Sequence, residues 1–159
     1  MIFGKKNKEG NKAVNLKMVE GITGLNNKPV QVSLDDKLET LVIKERLGKI
    51  KAGLSYEKII NANVITEKEI IEKNKSVIGR AIVGGVLIGG LGAVVGAMSG
   101  LSKKQKAEKH YYMVINYKME EEIKTLSFEI VGASLHWDIF LKELRKRINT
   151  VDIENEAIL

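Results

Sequence analysis

The sequence predicts a mainly β (α+β) fold, in which an antiparallel sheet or barrel of about seven strands is closed by one C-terminal helix. Two observations support this prediction. Apolar and polar side chains alternate along most of the chain, which is the period of a half-buried strand. The clearest helical stripe comes after the last strand, so the strands do not alternate with helices as they do in a parallel sheet.

Length and composition indicate one folded domain. The chain has 159 residues, and 44% of them are hydrophobic, which is enough for a packed core. The absence of cysteine excludes disulfides and thiolate metal sites, and the net charge of +6 favours anionic partners. The first residues lack the apolar core of a signal peptide, so we expect the protein in the cytoplasm.

In the first half of the chain, alternation defines the strands. Val14, Leu16 and Met18 share one face of the first strand. The next strands are predicted at residues 30–34, 38–43 and 49–56. Residues 61–73 fit either a strand or a helix opened by Thr66, and their context favours strands.

The second half is predicted to contain two long strands and the helix. The strands cover residues 110–117 and 123–131, and Ser134 is a candidate N-cap for a helix over 135–148. The apolar stripe of this helix, which should bury against the sheet, consists of Trp137, Phe140, Leu141, Leu144 and Ile148.

The most unusual stretch is Ala81 to Leu101, which carries no charge and contains seven glycines. Gly92, Gly96 and Gly100 form a GxxxGxxxG pattern, which lets helix backbones approach closely. A second small-residue stripe at the same spacing consists of Ala81, Gly85, Gly89, Ala93 and Ala97.

The order of elements resembles that of a pleckstrin-homology-like (PH-like) domain, and in particular small bacterial PH-like proteins with a glycine-zipper insertion. The resemblance is carried by SYEKIINANVITEKEIIEKNKSVIGRAIVGGVLIGGLGAVVGAMSG, HYYMVINY, EIKTLSFEIVG and HWDIFLKELRKRI. It implies a partly open antiparallel barrel capped by the helix, with the glycine segment projecting between two strands. The PH-like fold hosts lipid, peptide and protein binding, so it names no ligand.

On this basis the chain divides into four parts. Residues 1–12 are expected to be a basic flexible tail and residues 150–159 an acidic frayed tail. Residues 13–149 form the PH-like domain, which the apolar insertion at 77–102 interrupts.

The glycine segment could form one membrane-spanning helix or a helical hairpin that turns near Gly90. Both of its flanks are basic, and a single span would place neighbouring strands on opposite sides of a membrane, so we expect the hairpin. Membrane insertion or self-association is assigned to Ile82, Gly85, Val86, Leu87, Gly89, Leu91, Gly92, Val95, Gly96 and Gly100. Contact with anionic lipid is assigned to Lys75, Arg80, Lys103, Lys104 and Lys106. Packing of the segment on the protein's own surface is the alternative.

The function expected from these features is that of a non-enzymatic binding or scaffold module at the cytoplasmic face of a membrane. The alternatives are a soluble, cytoplasmic homo-oligomeric interaction protein and a pore-forming effector. We expect anionic lipid, a second copy or an unidentified protein as partner. Nucleic acid is not expected, because the basic residues are dispersed and matched by 20 acidic ones. No cofactor, metal site or catalytic residue is predicted, and His110 and His136 are interpreted as structural.

Overall fold

The structure is a computed structural model that describes residues 12–76, 82–91, 94 and 110–148. Its strands are β1 (Ala13–Glu20), β2 (Pro29–Asp35), β3 (Thr40–Glu45), β4 (Lys51–Ser55), β5 (Ile59–Thr66), β6 (Ile82–Val83), β7 (Val86–Leu87), β8 (Tyr111–Met119) and β9 (Glu122–Ile130). Its helices are α1 (Glu67–Ser76) and α2 (Trp137–Arg147), and a short 3-10 turn covers Tyr56–Lys58.

Seven strands form one antiparallel sheet in the order β4-β3-β2-β1-β9-β8-β5. The alternation read from the sequence matches the burial along β2, where Val30, Val32 and Leu34 point inward. Consecutive strands are mostly neighbours, and β1 joins β2, β3 and β4 on one side to β9, β8 and β5 on the other. The prediction of a seven-stranded, mainly β fold with a C-terminal helix is therefore confirmed.

Helix α2 packs its apolar stripe against the inner face of the sheet. Phe140, Leu141 and Leu144 are buried, Trp137 is partly buried, and Ile148 is buried just beyond the end of the helix. We call the cluster that they share with the inward side chains of β1–β5, β8 and β9 the inner core. The predicted stripe is thus the surface by which the helix closes the sheet.

The start of α2 differs from the prediction. The helix begins at Trp137 rather than Leu135, and its N-cap is His136, which has a left-handed backbone (φ 61°). Ser134 is not the N-cap: its buried hydroxyl accepts a hydrogen bond from Val131 N at 3.0 Å and donates one to Asn15 O. The prediction for Ser134 was wrong because the hydroxyl ties the corner after β9 to β1.

Residues 61–73, for which strands were expected, contain the end of β5 and most of α1. The Thr66 hydroxyl accepts a hydrogen bond from Glu69 N at 3.2 Å, and Glu67 and Glu69 lie in the first helical turn. Both features stabilise a helix N-terminus. Val64 and Ile65 lie in β5, as expected. Ile70 is fully buried, and with Ile71 it serves as the packed face of a helix instead of a strand.

The first part of the glycine segment is a β-hairpin instead of the expected helical hairpin. β6 pairs with β7 through Ile82–Leu87 and Val83–Val86. Gly84 and Gly85 form the turn with φ values of 58° and 82°. Two consecutive residues with positive φ suit a tight hairpin turn, and glycine adopts them without steric cost, whereas each glycine destabilises a helix. The expected helical stripe that included Gly85 and Gly89 is therefore wrong, since both lie in turns.

Candidate functional site

The β6–β7 hairpin covers the outer face of the sheet formed by β5, β8 and β9. β8 is buried on both sides: Met113 and Ile115 face the inner core, and Tyr112, Val114 and Asn116 face the hairpin. The apolar residues on this outer side form a second cluster, here called the outer cluster, of Val19, Ile65, Ile70, Val83, Val86, Ile88, Leu91, Tyr112 and Val114. Half of the uncharged stretch is thus core of the domain itself.

A buried asparagine holds β7 onto the sheet. Asn116 Nδ2 donates to Leu87 O at 2.8 Å, and Leu87 N donates to Asn116 Oδ1 at 2.7 Å. Thr125 Oγ1 donates to the same Leu87 carbonyl at 3.1 Å. The side-chain amide therefore gives β7 the donor and acceptor that a neighbouring strand would provide, and no strand has to pair at that position.

Two asparagines of β5 bind the turn of the hairpin and connect it to α2. Asn61 Nδ2 donates to Gly85 O at 2.9 Å, and Asn63 Nδ2 donates to Gly84 O. Arg145 of α2 donates to Asn63 Oδ1 at 2.7 Å through Nη2. The capping helix and the glycine hairpin are thus joined through a single strand, β5.

The outer cluster keeps one hydroxyl away from water. Tyr112 is buried there, and its hydroxyl has no hydrogen-bond partner among the described residues. Burial, with the negative charges of Glu129 and Glu67, raises the pKa of Tyr112 above its usual value. The phenol therefore stays neutral at every pH at which the protein would work.

The glycine segment leaves the sheet beside the β1–β2 loop. A Cβ on Gly90 would lie 2.5 Å from Glu20 Oε2, and one on Gly21 would lie 2.9 Å from Thr125 O. A groove of about 480 Å³ opens here. It is lined by Glu20, Gly21, Leu87, Gly89, Gly90, Tyr117, Ile123, Lys124 and Thr125. The β1–β2 loop is in turn close to the β3–β4 loop, since a Cβ on Gly24 would lie 3.1 Å from Ile50 Cδ1.

We call the two loops at this end, residues 21–28 and 46–50, the basic pole. They contain Lys28, Arg46 and Lys49. Lys28 Nζ pairs with Glu45 Oε1 at 3.3 Å, so Arg46 and Lys49 are the cations of this pole that form no ion pair with a described residue. Leu47 is 89% exposed between the last two of these cations. At the other end of β3 lies another leucine, Leu38, which is 70% exposed in a turn where acidic residues outnumber basic ones.

The residues assigned to membrane insertion or self-association fall into two groups. Val86, Leu87 and Leu91 are buried in the domain, Ile82 is partly buried, and Gly85 and Gly89 lie in exposed turns. Outside the described residues lie Gly92, Val95, Gly96 and Gly100, together with the lipid-contact candidates Arg80, Lys103, Lys104 and Lys106. Lys75 belongs to α1.

Sequence reasoning did not identify the polar anchors Asn61, Asn63 and Asn116. A signal was available, because asparagine is depleted in strands and these three interrupt otherwise apolar strand sequences. The unbroken run His110–Tyr117 was a second signal, since a strand buried on both faces loses its alternation.

Neither histidine takes part in a metal cluster among the residues described. His110 Nδ1 lies 3.3 Å from Glu129 Oε2, and His136 caps α2 through its backbone. Within the described ranges, no three His, Asp or Glu side chains gather where they could hold a metal ion. No helix in that same part of the chain has the length and apolar character needed to cross a membrane.

Asn116→Ala is expected to lower the free energy of unfolding by about 1–3 kcal/mol, because the Leu87 N–H loses its partner and the Leu87 C=O keeps only the bond from Thr125 Oγ1. Urea unfolding measures the change. Asn26→Ala, in the exposed β1–β2 loop, is the control and should have a small effect. Equal stability of the two variants would contradict the anchoring role of Asn116.

Similarity to a known protein family agrees with this architecture. A family described as glycine zipper containing PH domain matches residues 22–139, which is more than half of the chain. No curated protein and no solved structure matches the chain. PH-like domains are in general binding modules that commonly take lipids or proteins. The seven-stranded antiparallel sheet and the C-terminal helix are consistent with a PH-like fold. The chain therefore belongs to the family of PH domains that contain a glycine zipper.

Proposed function

We propose that this protein is a non-enzymatic binding module that docks on an anionic membrane through its basic pole. The observation that carries the proposal is Leu47, which is 89% exposed between Arg46 and Lys49. Burying a leucine side chain contributes about 1.5–3 kcal/mol, and each cation near an anionic surface adds about 1 kcal/mol. An apolar tip flanked by cations thus suits the boundary between headgroups and acyl chains.

The position of the glycine segment supports the same orientation. Gly90 lies next to Glu20, the last residue of β1. The β1–β2 loop, which is part of the basic pole, begins directly after Glu20. The sequence from Gly92 to Leu101 is uncharged, and Lys103, Lys104 and Lys106 follow it. Val94 packs against the outer cluster, and we propose that the uncharged residues after it contact lipid next to Leu47 and that the lysines contact anionic headgroups. Basic residues favour the cytoplasmic face, where we place the protein.

Vesicle co-sedimentation tests the proposal. Leu47→Ser should weaken binding of the full chain to phosphatidylserine-containing vesicles by about tenfold or more, because the buried apolar area is lost. Leu38→Ser is the matched control, an equally simple change at an exposed leucine beside Asp36 and Glu39. It should bind as the unaltered chain does.

Two results would overturn membrane docking at this pole. One is equal binding by Leu47→Ser and the unaltered chain. The other is equal binding to phosphatidylserine-containing vesicles and to pure phosphatidylcholine vesicles, because the cations would then contribute nothing. Dye leakage from the same vesicles tests the pore-forming alternative, in which Gly96→Leu should abolish leakage.

Self-association is the second candidate function, and the hairpin favours it. Residues 82–91 are used inside the domain and Val94 also packs against the outer cluster, so only about eight uncharged residues remain before Lys103. A helix of that length covers about 12 Å, less than half the thickness of a hydrocarbon core. The GxxxGxxxG pattern of Gly92, Gly96 and Gly100 suits close contact with a second copy.

Sedimentation velocity of the full chain tests self-association. Gly96→Leu combined with Gly100→Leu should shift an oligomer towards monomer, because the larger side chains prevent close helix approach. Deleting residues 82–101 would not be a clean test, since Val86, Ile88 and Leu91 belong to the outer cluster. An unchanged sedimentation coefficient in the double variant would contradict self-association through this pattern.

A further inference from the structure

The outer face of β2, β3 and β4 carries a row of cations that no other element of the described structure covers. Gln31, Lys44 and Lys51 lie side by side across the three strands, since Gln31 pairs with Lys44 and Lys44 pairs with Lys51. Asn15 of β1 extends the row. Like charges directly opposite each other destabilise a sheet, so an anion placed between Lys44 and Lys51 would stabilise this one.

A groove of about 470 Å³ runs beside this row. Its charged lining consists of Lys12, Asp35, Asp36, Lys37, Lys44 and Lys51. Asp36 does not offset Lys37, Lys44 and Lys51, because it already binds Arg147 Nε at 2.6 Å and Lys12 Nζ at 3.0 Å. Asp35 is the one other acid of the lining and is outnumbered by these three lysines. Lys37, Lys44 and Lys51 form no ion pair with any described residue. The groove is therefore positively charged.

The chain itself contains an acidic sequence that begins near the rim of the groove. Arg147, the last residue of α2, binds Asp36, and Asp36 lines the groove. The sequence after Ile148 carries three acidic residues and no lysine or arginine. Glu156 lies eight residues beyond Ile148, which allows a reach of roughly 26 Å. β2 and β4 are only about 10 Å apart in a sheet.

The spacing of these acids matches the groove. Asp152, Glu154 and Glu156 occupy every second position, so an extended chain presents all three on one side. From these observations we infer that residues 149–159 dock in extended form in the groove on the outer face of β2–β4, with their carboxylates paired to Lys37, Lys44 and Lys51. The contact is intramolecular.

The absence of cysteine makes a direct test possible. A nitroxide attached at Asn155→Cys in the full chain should broaden the amide resonances of Ser33, Lys44 and Lys51. The broadening should be strong at about 0.1 M salt and largely lost at about 1 M, because the screening length falls from about 10 Å to about 3 Å.

Charge reversal shows whether the lysines are the binding partners. Lys44→Glu with Lys51→Glu should abolish the broadening. Lys68→Glu with Lys118→Glu, two exposed lysines on α1 and β8, changes the net charge equally and should leave the broadening intact. The same spectra report whether each variant is folded.

Three results would overturn the inference. The first is broadening that survives reversal of Lys44 and Lys51, and the second is equal loss in the control pair. The third comes from mixing isotope-labelled chains that lack the nitroxide with unlabelled chains that carry it. Broadening in that mixture would assign the contact to a second copy.

Discussion

Replacing Ile88 with alanine is expected to lower the free energy of unfolding by about 2–5 kcal/mol. Ile88 follows β7 and is fully buried in the outer cluster, which also contains Val83, Val86 and Tyr112. Removing its methyl groups loses their burial and leaves a cavity that a well-packed cluster fills only in part. The effect appears in the absence of any membrane, because the cluster belongs to the domain.

Urea unfolding of the full chain measures this loss. Ile139→Ala on α2 is the matched control, since that isoleucine is 37% exposed and should cost much less. The result separates the two interpretations of the glycine segment. If residues 82–91 entered a bilayer instead of packing on the sheet, Ile88→Ala would leave stability in solution unchanged, and the outer cluster would be contradicted.

Phe140→Ala is expected to have the largest effect, a loss of about 3–5 kcal/mol. Phe140 is fully buried at the centre of the stripe by which α2 closes the inner core. Helix α2 also holds β5 through Arg145, which binds Ala62 O at 3.1 Å and Asn63 Oδ1 at 2.7 Å. Loss of the helix would therefore remove both a side of the core and an anchor of the strand that holds the glycine turn.

The measurement is again urea unfolding, with Lys142→Ala as the control on the exposed side of α2. The control should change stability by less than about 0.5 kcal/mol. If Phe140→Ala left stability unchanged, α2 would not be part of the cooperative unit. Domain closure by the helix would then be wrong.

The amino-acid sequence was sufficient to predict the sheet and its helix, because both depend on local periodicity. Val30, Val32 and Leu34 alternate in the sequence and in their burial, and the stripe from Phe140 to Leu144 recurs at helical spacing. A residue's place in such a pattern decides its side of the sheet or helix wherever the element has one buried face.

Secondary structure was predicted less well where an element is buried on two faces or where its apolar residues show no regular spacing. Residues 61–73 contain apolar side chains that suit either structure, and the change from β5 to α1 is marked only by the Thr66 cap. The asparagine anchors of the hairpin were missed because their partners are backbone groups of Gly84, Gly85 and Leu87, more than twenty residues away from each asparagine.

By itself the sequence determined a mainly β domain closed by an amphipathic helix, a basic net charge and an uncharged, glycine-rich insertion. The tertiary structure alone decided what the first half of that insertion does. An uncharged sequence of glycine, valine, leucine and isoleucine with no helical or strand periodicity is compatible with a membrane helix, a helical hairpin or a strand pair. The outer face of β8, with Val114 and Asn116, provides an apolar surface and a backbone partner for the hairpin. The free energy of covering that face made residues 82–91 part of the domain core.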